Sequence, residues 1–383
     1  MDNIAQFVSG PFVYFLAFIF VLTVVVFIHE LGHFLIARCC GVKVTAFSIG
    51  FGPEIFGRND RYGTRWKLCL IPLGGYVKFL DDDSISSLSA QSSINTLSEA
   101  EKEGCFHNKP VWKRALVVFA GPAANFILAI VIFTMWFLIQ GIATTEPRID
   151  EIVPNGAADR AGLKAGDLVL EINEKPIASF EDIQRFVATN VGNSLDFKIE
   201  RNGNYSHFFV IPEVLEQIDD KGDKGQMVMI GVKRSISAQS IKVRKPDFIE
   251  AIGYAGDKTL FIVTSTLGYL SDVLLGKQSA SQLGGPIRIA DIAGRVAQQG
   301  GEYLIQLVAF ISVSVGLINL FPIPLLDGGH LVFYAVEAVR GKPLTERAPD
   351  IAFRIGMAVL VSLMFFSTFN DLHIIKRWVF GNI

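Results

Sequence analysis

The chain has 383 residues, half of them hydrophobic, with 19% charged and a formal net charge of -2. That balance is too apolar for an ordinary soluble enzyme, and it supplies neither the basic surface nor a motif expected of a nucleic-acid binder, so no nucleic-acid partner is expected. The length allows two or three domains, or one domain and a membrane region.

Four runs reach the length of about 20 apolar helical residues that a bilayer crossing requires. They are roughly Pro11–Ala37, Ala115–Ile139, Tyr303–Phe321 and Ile351–Phe369. No basic residue lies between Met1 and Gln6, and the first run is too long for a signal-peptide core, so no cleavable signal peptide is expected. The first run ends in VVVFIHELGHFLIARCC at Val24–Cys40, where two histidines and a glutamate interrupt a segment built for lipid. After it, Val44–Phe56 and Arg65–Phe79 read as short strands around a turn at Asn59–Gly63, apolar enough to lie against or into the membrane face. Ser84–Gly104 is rich in serine and charge and reads as a mobile insert. The acidic run at Asp81–Ser84 reads as a solvated loop, as does the charged run at Asp219–Gly225.

Past the second span, Glu146–Glu213 changes character. Balanced charge, short β-rich runs and glycine turns point to a compact α+β module, with a helix over Phe180–Thr189 behind the N-cap candidate Ser179. Residues 214–300 read as a connecting region. Within it, Leu260–Leu275 is short, carries Asp272, and reads as an amphipathic or interfacial helix rather than a fifth span. Gly284–Ile287 reads as a turn. Gly121–Asn125, the GPAAN of span two, reads as small residues that permit close helix contact.

Lysine and arginine set the orientation. None precedes the first span, whereas Arg38, Lys43, Arg58, Arg61, Arg65, Lys67, Lys78, Lys102, Lys109, Lys113 and Arg114 lie between the first and second. The positive-inside rule puts that loop in the cytoplasm and the α+β module outside it. All four cysteines (Cys39, Cys40, Cys69 and Cys105) fall in that same loop region, as a reducing compartment would favour.

HELGH places His29 and His33 one helical turn apart on one face, where both imidazoles can reach one zinc ion. Glu30 between them need not ligate and can carry a proton between the attacking water and the leaving amine. Ionisable groups within a span are costly unless paired or ligated, which argues for function over chance. A third protein ligand is needed. Asp327, after the proline-broken end of span three, is the better candidate and His330 the competitor; His107, His207 and His373 are weaker. If the third span runs in the same direction as the first, Asp327 arrives at the depth of the histidines. A fifth crossing at Leu260–Leu275 would separate them. A partner-binding scaffold would not need Glu30, and a metal transporter would carry polar residues through several spans rather than at one depth.

Five motifs in this order resemble the site-2 protease family of intramembrane zinc metalloproteases, and its RseP-like bacterial group in sigma-factor signalling. They are HELGH at His29–His33, GFGP at Gly50–Pro53, IPLGGYVK at Ile71–Lys78, FAGPAANF at Phe119–Phe126 and NLFPIPLLDGGH at Asn319–His330. The resemblance implies zinc on His29, His33 and Asp327, Glu30 as the catalytic acid/base, and Asn319 as a substrate-binding residue. It also likens Glu146–Glu213 to a PDZ domain, through Val153–Ile177. The RseP type carries two such domains in tandem; one is found here.

The expectation is therefore a polytopic α-helical membrane protein with four transmembrane helices, a membrane-associated β-hairpin region and one inserted α+β PDZ-like domain. Its parts are a protease core in two halves (1–145 and 301–383), the PDZ-like domain (146–213) and the connecting region (214–300). It would sit in the inner membrane, with the PDZ-like domain periplasmic and the active site near the cytoplasmic side. It would cut single-pass membrane proteins such as an anti-sigma factor or signal-peptide remnants.

Overall fold

The computed structural model describes residues 2–81, 98–177, 179–190, 192–218, 224–233, 241–276, 284–342 and 347–380. The chain forms two units, Met1–Trp136 with Phe248–Ile383, and Phe137–Asp247.

In the first unit, α1 (Asp2–Cys39) is followed by β1 (Val44–Asn59), β2 (Arg65–Phe79), α2 (Glu99–Glu103) and α3 (Val111–Gln140). Four helical segments are long and apolar enough to cross a membrane: Phe12–Cys39, Val111–Gln140, Gly301–Asn319 and Ile351–Leu372. They coincide with the four runs read from the sequence. Helix is the form that satisfies every backbone group where no water can. Phe12, Phe15, Leu16, Ile127 and Phe365 stand exposed along these helices, a surface that lipid covers without cost.

The hairpin forms where the sequence puts it, but with a bend in each strand. Residues 46–49 of β1 pair with residues 75–78 of β2 on one side and with residues 65–68 on the other, and residues 56–59 pair again with residues 65–68. The two bent strands thus make a sheet of four segments, with residues 75–79 along one outer edge. Phe47 anchors it. Fully buried, it packs its ring 5.5 Å from Phe34 of α1 and 4.4 Å from Trp66. These rings and the buried Ala37, Val44 and Val117 form the core beneath the hairpin.

Residues 84–97 of the expected mobile insert lie outside the described residues, as do residues 219–223 of the charged run; Glu99–Glu103 is the short helix α2. Asp81 is not part of a solvated loop. It is 2% exposed, because three donors fold over its carboxylate.

The later part of this unit contains α6 (Phe248–Leu274), α7 (Pro286–Gln299), α8 (Gly301–Asn319), α9 (Asp327–Arg340) and α10 (Arg347–Phe380). The expected Leu260–Leu275 helix is the second half of α6. Its buried residues Ala251, Ala255, Thr259 and Ile262 follow one helical face, and α6 is not among the four apolar spans. The turn expected at Gly284–Ile287 opens a 14-residue helix instead, with Pro286 at its first position. What the glycines lack as a cap, Asp371 of α10 supplies: its Oδ2 accepts from the N–H groups of Gly285 (2.8 Å) and Arg288 (3.0 Å). Ala17, Val21 and Val25 of α1 pack with Ala293 of α7 and Val308 of α8.

The second unit is wider than Glu146–Glu213. It contains β3 (Ile142–Thr145), β4 (Glu151–Ile152), α4 (Ala157–Ala161), β5 (Leu168–Ile172), β6 (Lys175–Pro176), α5 (Phe180–Thr189), β7 (Leu195–Arg201), β8 (Asn204–Val210), β9 (Glu213–Ile218), β10 (Lys224–Met229), β11 (Val232–Lys233) and β12 (Ile241–Arg244), of which β3 and β9 to β12 reach beyond those bounds. Four strands form one sheet in the order β6-β5-β7-β8. α5 begins where expected, with the Ser179 hydroxyl accepting from the Asp182 N–H. The additional strands return to its ends: β12 pairs with β3, and β11 with β4. Ile230, 3% exposed, completes the apolar core, and its carbonyl accepts from the Ala158 N–H at 2.8 Å. Charged flanks hide this short apolar stretch from a reading by composition.

Candidate metal centre

α1 carries His29 and Glu30 on one turn and His33 on the next, and Asp327 is the first residue of α9. Between α8 and α9 the chain turns sharply through Pro322 and Pro324, and Leu325 adopts a φ of 118°. A left-handed leucine is a strained backbone of the kind that collects at functional sites. Gly328 lets α9 begin there: a Cβ on it would stand 2.3 Å from the carbonyl oxygens of Leu320 and Phe321.

The turn brings three donor atoms together. His29 Nε2 and His33 Nε2 are 3.3 Å apart. Asp327 Oδ2 is 3.2 Å from the first and 3.5 Å from the second. Ligands at the corners of a tetrahedron stand about 3.3–3.4 Å apart when the bonds have zinc's length of about 2.0–2.1 Å. The protonation pattern agrees. His33 Nδ1–H donates to the Val117 carbonyl at 2.9 Å, which leaves its Nε2 lone pair facing inward. Asp327 Oδ2 is buried and accepts no hydrogen bond, although both imidazoles lie within ion-pair range. The inward lone pair of His33 and the unpartnered Asp327 oxygen beside it call for a cation. The space for one is kept by Gly121 of α3, where a Cβ would lie 2.3 Å from His33 Nε2 and 2.9 Å from His29 Cε1. The residues present fit zinc.

Glu30 shares a cavity of about 280 Å³ with His33, Asp327, Val77, His107 and His330. Val77 and Phe79 line the cavity with Glu30, so the outer edge of β2 runs along it. His330 faces the cavity but stands outside the triangle of donors. His207 lies in the second unit, 3.0 Å from Asp196. Asn319, the last residue of α8, is half-buried and does not line the cavity.

Asp81 supports the cavity wall from behind. Its carboxylate accepts from the N–H groups of Phe106 (3.0 Å) and His107 (2.9 Å) and from His107 Nδ1 (2.8 Å). Burial pushes this carboxyl up, but the bonds from the His107 ring and the two backbone N–H groups outweigh it and hold the group below the usual carboxylate range. Arg114 of α3 joins Glu337 of α9 at 2.7 Å and lies over the Tyr334 ring at 5.0 Å, so the helix that carries Asp327 is fastened to the helix that orients His33.

Sequence reasoning missed three contributors on α3: the Val117 carbonyl, Gly121 and Asn125. Asn125 Nδ2 is 3.2 Å from His29 Nδ1. Gly121 and Asn125 were assigned to packing as parts of GPAAN. The signal for Asn125 was present, since an amide inside a span is itself costly; Gly121 gives no such signal, because its role is empty space.

The model of Peptidase family M50 matches residues 17–363. A Rhizobium meliloti relative, provisionally named a zinc metalloprotease, is 44% identical over 364 residues, covering 95% of this chain and 96% of that protein. The Caulobacter vibrioides protein Metalloprotease MmpA is 36% identical over 386 residues, covering 95% and 96%. Among solved structures, the PDZ domain of the SdrC-like protein from Listeria monocytogenes shares 21% identity over 22% of this chain and 82% of its own, with a TM-score of 0.18.

Proposed function

This chain belongs to peptidase family M50, and from that premise we propose that it is a zinc endopeptidase that cleaves single-pass membrane proteins within their transmembrane segments. The observation that carries the reading is the convergence of His29, His33 and Asp327 at tetrahedral spacing beside Glu30, with both histidines and Glu30 on a helix apolar enough to span a bilayer.

His29, His33 and Asp327 hold the metal. When bound, zinc supplies Lewis acidity at the scissile carbonyl and makes water nucleophilic near neutral pH. Glu30 accepts the proton of the attacking water and returns it to the departing amine, within reach of both because it follows His29 on the same helix turn. A substrate helix must unwind before it can be cut, and its freed backbone groups need partners in a medium without water. The outer edge at residues 75–79 provides them by strand addition, next to the cavity. Asn319 binds substrate backbone as the strand enters.

The first and third spans run in one direction, from the extracytoplasmic side inward, so that the centre lies toward the cytoplasm. The chain sits in the inner membrane, and the unit Phe137–Asp247 is a periplasmic PDZ-like filter or docking module. The substrates are an anti-sigma factor already trimmed by another protease, or signal-peptide remnants: both offer one apolar helix without a bulky outer domain.

The test compares cleavage of a model single-span substrate by the wild type and Glu30→Gln, with zinc content measured in both. Loss of cleavage with zinc retained supports the assignment. Equal cleavage by the two proteins removes Glu30 from the mechanism.

A further inference from the structure

We infer that Asn125 is a positioning residue of the metal centre: its side-chain carbonyl accepts the Nδ1 proton of His29 and holds that imidazole in the tautomer that presents Nε2 to the metal. The inference rests on the metal-binding role of His29, His33 and Asp327.

Asn125 is fully buried. Its Nδ2 stands 3.2 Å from His29 Nδ1, while its Oδ1 is buried with no donor. That orientation fails twice. An NH2 donating to Nδ1 forces the ring proton onto Nε2, which points at His33 Nε2 and Asp327 Oδ2 and would close the site to a cation. It also leaves a carbonyl desolvated without compensation. The two ends of a side-chain amide have nearly the same shape, so their assignment follows from the hydrogen-bond network. A half-turn of the amide brings Oδ1 to the Nδ1 proton and turns the Nε2 lone pair inward, while the NH2 takes the place that Oδ1 leaves.

His33 already shows the same arrangement, its Nδ1–H bonded to the Val117 carbonyl. Val117 and Asn125 lie eight residues apart on α3, hence on one face of that helix. One helix thereby fixes the tautomer of both imidazoles, in the way outer hydrogen-bond partners orient metal-ligating histidines generally. The position of Asn125 is itself fixed. The Ser312 hydroxyl of α8 donates to its backbone carbonyl at 2.9 Å, and Gly316 of α8 lets that helix approach so closely that a Cβ there would lie 3.3 Å from the Asn125 Cβ.

Zinc affinity of the purified full chain, measured by competition with a chromophoric chelator, tests this without reference to cleavage. Asn125→Leu keeps the shape and removes the acceptor; Asn125→Asp keeps the acceptor. Asn125→Leu is expected to bind zinc about 10–100-fold more weakly than wild type, and Asn125→Asp to recover most of that loss. The melting temperature in excess chelator separates packing from positioning: it should be shared by Asn125→Leu and wild type, with the difference emerging only when zinc is added. An Asn125→Leu protein with wild-type affinity overturns the inference, as does an Asn125→Asp protein as weak as Asn125→Leu. His33→Ala serves as the control on the premise. If it binds zinc as tightly as wild type, the metal assignment falls and the inference with it; if it loses zinc while Asn125→Leu does not, the inference alone falls.

Discussion

At Asp81 and Gly121 a single residue's role follows from what surrounds it. The Asp81 carboxyl is held below its ordinary range by donors that burial alone would not offset. A depressed folded-state value adds stability that is present above the unfolded value of about 3.9 and is lost as pH falls through the lower folded value. Asp81→Asn is therefore expected to cost about 1–3 kcal/mol of stability at neutral pH, as for a buried charged acceptor, and so to lower the melting temperature. It should also flatten the acid limb of the stability curve; the check is a set of thermal melts between neutral and strongly acidic pH, and an unchanged acid limb would refute the assignment. Gly121 acts by what it leaves out. Gly121→Ala puts a methyl 2.3 Å from His33 Nε2, in the space between the donor atoms. Because alanine favours helix, the fold should survive while bound zinc is lost, as metal analysis beside a melt in chelator would show. Full zinc occupancy would mean that the ion sits elsewhere.

Among the elements, the bent hairpin depends most on its anchor. Its outer edge reaches the cavity only because Phe47 fixes the sheet to α1 through Phe34 and Trp66. Phe47→Ala is expected to cost about 3–5 kcal/mol, as large-to-small changes at buried aromatic sites do. If the edge binds substrate backbone, the variant should lose cleavage at temperatures where it remains folded and holds zinc. Cleavage equal to wild type under those conditions would separate the edge from catalysis. α7 is set the same way from a distance, since Asp371 on α10 caps it 86 residues along the chain. Neither dependence can be read from one segment by itself.

For the whole molecule, the decisive arrangement is that residues almost 300 positions apart meet at one depth. Membrane-impermeant thiol labelling tests the proposed orientation. In a background without native cysteines, Tyr205→Cys, exposed in the second unit, should react in spheroplasts. Tyr62→Cys, exposed at the hairpin turn, should react only after lysis. The reverse pattern would invert the orientation, and labelling of both from one side would contradict the four-span count.

The sequence alone determined the four helices long and apolar enough to cross a membrane, because lipid demands such helices whatever their neighbours, and it determined HELGH, because metal spacing on a helix is a local property. It also determined the hairpin strands and the Ser179-capped helix, whose signals lie within a few residues. Only the tertiary structure decided between Asp327 and His330 as the carboxylate or imidazole beside the two histidines. It also decided the burial of Asp81, the return of residues 214–247 to the second unit, and the role of α3 behind the imidazoles. Each of these depends on which donor meets which acceptor across a packed interface, and that distance is set by the folding of segments that carry no record of one another.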